Sequence, residues 1–170
     1  MATYIQFLIR KYFSKGIIID TNLLILYLIG SWSPDYIGKS RVTYDRGYTV
    51  EDFRIINRLL QFFKKIIITP QILAELSNLT FDREASQFKG YFAEVIGFVN
   101  KCNEKYISKD DMISKPFLSK IGFTDQSIIE ASKNNNLLVL TDDFPLVGFL
   151  TSSKCDFINL NHIRAESWLK

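Results

Sequence analysis

The sequence predicts a parallel β-sheet covered by helices. Three short runs carry that prediction: Ile17–Ile19, Ile66–Ile68 and Leu137–Leu140. Each is apolar throughout, without polar alternation, as expected of a strand buried on both faces. The stretches between them have the spacing of amphipathic helices, and alternating strand and helix argues for βαβ units. The first run ends in Asp20 and the last in Thr141-Asp142-Asp143, which sets carboxylates at the carboxyl edge of the sheet. Open α/β sheets keep their ligand crevices at that edge.

In chain order, residues 4–13 carry Ile5, Leu8, Ile9 and Tyr12 at helical spacing, for packing on the domain or contact in a dimer. Gly16–Asp20 is the first strand. Leu23–Ile29 begins the next helix, with Thr21 or Asn22 as its cap. Residues 30–48 hold three of the eight glycines and a proline, so a loop or partly ordered insertion is expected. In it Lys39, Arg41 and Arg46 alternate with Tyr36, Tyr44 and Tyr48, which suits either a surface loop or a grip on single-stranded nucleic acid. Thr49 and Asp52 make a capping box for a helix with Phe53, Ile56, Leu59, Leu60 and Phe63 on one side. Thr69-Pro70 starts the helix that carries Glu75. A helical pattern runs from Asp82 to Asn103, a turn or strand is expected at Tyr106-Ile107, and a short helix over Met112–Lys120. Thr124 caps a helix over Asp125–Asn134. A short helix follows at Pro145–Leu150, then a strand near Phe157–Leu160 and a last helix ending near Trp168.

With 170 residues the chain reads as a single domain over 1–170. Aromatic residues make up 14%, spread along the chain as core packing would place them. The net charge is +3, divided unevenly. Residues 1–65 hold 10 Lys and Arg against 5 Asp and Glu, whereas 66–170 hold 11 against 13. A basic first part beside an acidic remainder suits either a solvated basic face or a polyanion held over an acidic site. Cys102 and Cys155 form no metal-spaced pair and no disulfide framework, which fits a reduced, cytoplasmic setting. The apolar run Ile17–Ile29 is too short to span a bilayer, so no membrane partner is expected. A single histidine, His162, argues against a multi-histidine zinc site.

The acids then decide the chemistry. Asp20, Asp142 and Asp143 stand at strand ends, Asp125 in the first turn of one helix and Glu75 in the second turn of another. Each has a plainer role: a cap for Asp20, a helix-dipole partner for Asp125, an exposed position for Glu75, a turn former for Asp142 or Asp143. Brought to one edge, they would repel one another until hard divalent cations neutralise them. Oxygen-only ligands select Mg²⁺ or Mn²⁺. Two such ions can activate a water and stabilise the leaving oxygen of a phosphodiester.

The segments IIIDTNLL, ITPQILAELSNL, GFTDQSIIEAS and LLVLTDDFPL together resemble the PIN-domain family of metal-dependent ribonucleases, over about residues 16–160. The resemblance implies a Rossmann-like, three-layer α/β/α sandwich with a central parallel sheet. It implies an endoribonuclease that hydrolyses RNA phosphodiesters by metal-activated water, in some members as the toxin of a toxin–antitoxin pair. Asp20, Glu75 and Asp125 match the first three acids of the family. The Thr-x-Asp pattern selects Asp143 as the fourth, with adjacent Asp142 as the alternative or a ligand to a second ion. Asn22 and Thr141 match orienting positions. Lys39, Arg41, Arg46, Arg54 and Arg58 are expected to contact RNA phosphates. An antitoxin protein and a second copy of the chain are the further partners implied. The 30–48 insertion departs from the compact toxin pattern. A silent RNA-binding or scaffold domain is the second reading, opposed by all four acidic positions being filled. A DNA-directed nuclease ranks third, for want of a helical arch or helix-hairpin-helix signature.

Overall fold

In the computed structural model, which describes residues 3–80 and 89–165, five strands form one all-parallel sheet flanked by helices. β1 is Ile17–Ile19, β2 Ile66–Ile68, β3 Asn103–Glu104, β4 Leu138–Thr141 and β5 Phe157–Asn159. Their spatial order is β3-β2-β1-β4-β5. Ile17, Ile18 and Ile19 of β1 stand opposite Leu138, Val139 and Leu140 of β4. Every residue of β1 and β4 is buried. Successive strand residues point to opposite faces, so continuous burial requires cover on both sides. That is the three-layer sandwich the sequence predicts.

The chain leaves β1 toward β2 and β3 on one side and reaches β4 and β5 on the other. The switch point therefore lies between the carboxyl ends of β1 and β4, where an open sheet parts to form a crevice. Asp20 follows one strand there and Asp142 the other.

Helix α1 (Tyr4–Tyr12) is closed by a Thr3/Gln6 capping box and buries Ile5, Leu8, Ile9 and Tyr12 against the domain. Its end is tied to β5, because Asp156 Oδ2 accepts from Lys11 Nζ at 2.7 Å and from the Tyr12 hydroxyl at 2.9 Å. Helix α2 (Thr21–Trp32) is apolar nearly all round and lies among its neighbours as a central helix. Its cap is Asp20, not Thr21 or Asn22: the carboxylate accepts from the Leu23 N–H at 2.9 Å. The expected loop at 30–48 is partly helical, with a 3₁₀ turn at Pro34–Tyr36 and α3 at Arg41–Asp45. A small polar knot holds it, in which the buried Thr43 hydroxyl accepts from the Gly38 N–H at 3.0 Å and bonds Ser40.

Helix α4 (Val50–Leu60) carries the expected Thr49/Asp52 capping box, and α5 (Pro70–Thr80) begins after Thr69, whose hydroxyl accepts from the Ile72 N–H at 3.3 Å. Of the helical pattern at 82–103, α6 (Tyr91–Val99) is described, and residues 82–88 lie outside the described residues. β3 precedes the turn or strand expected at Tyr106-Ile107. It pairs on one side through backbone groups alone, so polar residues serve. Helix α7 (Lys109–Ile113) begins earlier than Met112, because Ser108 caps it, and it stops short of Pro116. Helix α8 spans Leu118–Asn135 with a break at Gly122, whose φ of 79° lies where L side chains are strained. Past that break the helical segment that carries Asp125 resumes beside the expected Thr124 start. Helix α9 (Phe144–Ser152) precedes β5, and α10 (Leu160–Ala165) follows it; Trp168 lies outside the described residues. Among the described residues no helix is long and apolar enough to cross a membrane.

Among the described glycines, Gly30 is the one most tightly approached. A Cβ there would meet Phe53 ring atoms at 2.3, 2.4 and 2.8 Å. Helix propensity favours alanine over glycine by about 1 kcal/mol, but overpacking costs about 1–3 kcal/mol. Rigid ring atoms at these distances make the clash dominate. Gly30→Ala is expected to lower the unfolding free energy by about 1–2 kcal/mol in urea titrations, and Phe53→Leu in the same chain to restore most of it.

Candidate active site

β1 ends in the carboxylate of Asp20, which is 3% exposed. Its main-chain N–H donates to the Leu140 carbonyl at 3.0 Å, locking it to β4. One carboxylate oxygen accepts from Leu23, and the other from the Asp142 N–H at 3.3 Å. The Thr141 hydroxyl also bonds this carboxylate. Burial pushes the Asp20 carboxyl up to about 7, with the Asp142 charge adding to it, while the bonds from Leu23, Thr141 and Asp142 pull it down. Desolvation dominates, and those bonds recover only part of its cost.

Asp125, half-buried in α8, is likewise pushed up to about 7. Burial is the largest cause. The charges of Asp143, Asp20 and Glu75 follow in that order, with Arg46 opposing them. Carboxylates after β1, on α5 and at the β4–α9 junction thus all act on the one carried by α8. Glu75 is held toward it by Thr21, whose hydroxyl donates to Glu75 Oε2 at 2.6 Å. Asp143 caps α9 by accepting from the Leu146 N–H at 2.9 Å, and its own N–H donates to the Thr141 hydroxyl at 3.0 Å. Thr141 therefore stands between Asp20, whose carboxyl it helps to lower, and the main chain of Asp143. Asn22 lies half-buried in the first turn of α2, and it is its neighbour Thr21 that makes the contact to an acid.

Asp142 and Asp143 are adjacent in sequence but differ in surroundings. The Tyr48 hydroxyl donates to Asp142 Oδ1 at 3.1 Å, and Asn161 donates to the Asp142 carbonyl at 3.4 Å. Burial raises the Asp142 carboxyl, and Tyr48, Arg46 and Arg164 offset it. Asp142 is thus engaged with hydroxyl and cationic partners, whereas Asp143 is the charge acting most strongly on Asp125.

Of the expected RNA contacts, exposed Arg46 is a cation whose field reaches both Asp125 and Asp142. Lys39 lies over the Tyr36 ring at 5.1 Å. Arg41 pairs with Asp45 at 3.7 Å and Arg54 with Glu51 at 3.5 Å. Arg58 is in the last turn of α4, which feeds the amino end of β2, so the connectivity carries it toward the opposite edge.

The sequence offered Thr21 as a helix cap and Tyr48 as part of the basic insertion, not as partners of acids, and it gave no sign of Arg164. Arg164 Nε donates to Asp52 Oδ1 at 2.6 Å, and its Nη1 to Asn161 at 2.7 Å. Burial alone would raise the Asp52 carboxyl, but the Arg164 bond and charge, with the Thr49 bonds, hold it below the usual carboxylate value. A chain of contacts thus runs from α4 through α10 to the main chain of Asp142.

No family model and no curated protein matches the chain. A domain of a functionally unknown protein from Methanocaldococcus jannaschii DSM 2661 is similar in structure, with a TM-score of 0.46 and 16% identity. The match covers 85% of this chain and 89% of that one.

Among the described residues no three or more Asp, Glu, His or Cys side chains already stand as a metal cage. Carboxylates that repel one another have no reason to close to ligand spacing unaided. The donor set itself fits a hard divalent cation. It is oxygen only, and two of its members are held near neutral pH by burial and by neighbouring carboxylate charges.

Proposed function

We propose that the protein is a Mg²⁺- or Mn²⁺-dependent endoribonuclease of the PIN type, acting at the crevice between the carboxyl ends of β1 and β4. The raising of the Asp125 carboxyl to about 7 by its burial and by the charges of Asp143, Asp20 and Glu75 is the observation that carries this reading. Asp20, Glu75, Asp125 and Asp143 would hold the cation. Bound there, it would supply Lewis-acid stabilisation of a phosphodiester and a lowered pKa for water. The chain's own groups do the rest. Thr21 fixes the Glu75 carboxylate, and Thr141 fixes Asp20 and the turn at Asp143. Exposed Arg46 offers a cation to a phosphate approaching the acids. No side-chain nucleophile is required. A toxin role, with an antitoxin protein as partner, is the wider setting the resemblance suggests.

The test is cleavage of labelled single-stranded RNA and DNA with Mn²⁺ or EDTA, beside Asp20→Asn. Metal-dependent RNA cleavage that disappears in the variant supports the proposal. Equal cleavage by both proteins contradicts it. Metal-independent RNA binding without cleavage selects the silent scaffold, and cleavage of DNA alone selects the DNA-directed enzyme. The two adjacent acids separate in the same assay. Asp143→Asn is expected to lower kcat/KM by at least about 100-fold, and Asp142→Asn by less than about tenfold.

A further inference from the structure

Phe144 and Phe123 stand at the helix segments that carry Asp143 and Asp125, and both rings face solvent. Phe144 is the first residue of α9, directly after Asp143, and is 69% exposed. Phe123 lies two residues ahead of Asp125, where α8 resumes after the Gly122 break, and is 53% exposed. Other aromatics of the same region pair with each other: Phe117 and Phe149 approach to 4.8 Å between centroids. Phe123 and Phe144 enter no such ring pair among the described residues. A single exposed phenylalanine is ordinary. Two, each within two residues of an acid, and those acids near enough for the Asp143 charge to act on Asp125, point to a ligand with flat apolar faces.

An unpaired nucleotide has that chemistry. A base stacks on an aromatic ring whatever its identity, while its phosphate seeks cations. Bases inside a duplex have their faces already covered, so only an unpaired strand can use such rings. The segment before α4 adds exposed Arg46 and, beside Tyr36, the Lys39 ammonium. We propose that Phe123 and Phe144 are base-stacking residues that hold an unpaired strand with one of its phosphates at the acids between them. The proposal rests on the phosphodiester reading of those acids, and it assigns positioning residues outside the acidic set.

Binding of a short fluorescein-labelled single-stranded RNA in EDTA tests it, because no cleavage is needed. Phe144→Leu keeps an apolar side chain without a π face, and Phe144→Tyr restores the face. The leucine variant is expected to weaken binding at least about fivefold, and the tyrosine variant to bind within about twofold of wild type. The same pair of substitutions at Phe123 is expected to behave alike. Phe144→Trp should show indole fluorescence quenched by single-stranded RNA and unchanged by a blunt duplex. Leucine variants that bind like wild type would overturn the proposal, as would absence of RNA binding in EDTA or loss of binding equal in the leucine and tyrosine variants. If the leucine–tyrosine difference holds but Mn²⁺ gives no cleavage, stacking stands and the hydrolytic reading fails.

Discussion

Asp20→Asn removes RNA cleavage, by at least about 100-fold in kcat/KM, yet yields a protein more stable than wild type above about pH 7. Both effects have one cause. The Asp20 carboxylate is 3% exposed, and its burial is not recovered by the bonds it accepts. Its carboxyl is pushed from 3.8 up to about 7. At about 1.4 kcal/mol per pKa unit, ionising it in the folded protein costs a few kcal/mol in order of magnitude. Asparagine keeps the shape and one acceptor, enough for the Leu23 N–H at 2.9 Å. Its amide nitrogen then faces the Asp142 N–H, a longer bond of 3.3 Å in the wild type. Losing that bond costs about 1–3 kcal/mol at most. The charge term is the larger, so the variant gains about 1 kcal/mol at pH 8. At about pH 5 the wild-type carboxyl is neutral and the advantage disappears. Urea titrations at the two pH values check the crossover, and cleavage assays check the loss of activity.

In EDTA the melting temperature of the wild type falls between about pH 4 and about pH 7 and levels off above it, and Mn²⁺ reverses the fall. Asp20 and Asp125 both have folded pKa values of about 7, against 3.8 for the ordinary group. Between those values the folded protein binds more protons than the unfolded chain, so stability declines as pH rises. Because the Asp20 charge contributes to the Asp125 shift, their contributions do not simply add. A decline of a few kcal/mol corresponds to roughly 5–10 °C for a domain of this size. Asp52 works in the opposite direction, since its pKa is lowered, but its contribution is lost only as pH falls below 3.8. It leaves the neutral window untouched. Mn²⁺ at about 100 times its Kd adds about 2.7 kcal/mol. Its effect shrinks toward pH 5, where protons compete for the same oxygens. A differential scanning calorimetry series across pH, with EDTA or Mn²⁺, measures both slopes.

The sequence-legible parts are those built from local chemistry. β1, β2 and β4 are apolar runs ended by polar residues, and α4 and α5 carry their own start signals in Thr49/Asp52 and Thr69-Pro70. The positions that escaped are held by partners distant in sequence. β3 has only Asn103 and Glu104 and exists because β2 lies beside it. Tyr48 meets Asp142 across 94 residues, and Arg164 meets Asp52 across 112. The Thr-x-Asp spacing favoured Asp143 with Asp142 as the alternative, and what the sequence could not carry is their surroundings, Tyr48 on Asp142 and the Asp143 charge on Asp125. Asp20 held two readings, helix cap and acid of the crevice; one oxygen does cap α2, and the other accepts from the main chain after β4, at the edge where the proposed site lies. The extent of the 30–48 segment's order was hidden for a similar reason. Its fold depends on Thr43, Ser40 and Gly38 bonding one another rather than on apolar periodicity.

On the proposed function, the acids of this crevice share a divalent cation and give up protons to do so. Isothermal titration of Mn²⁺ into the protein near pH 7, in two buffers of different ionisation enthalpy, measures this directly. The account predicts binding with release of about one proton per site, since Asp20 and Asp125 are each about half protonated at that pH. It also predicts that Asp125→Asn weakens binding and reduces the release. Buffer-independent heats, or binding of equal strength and proton count in Asp125→Asn, would contradict it.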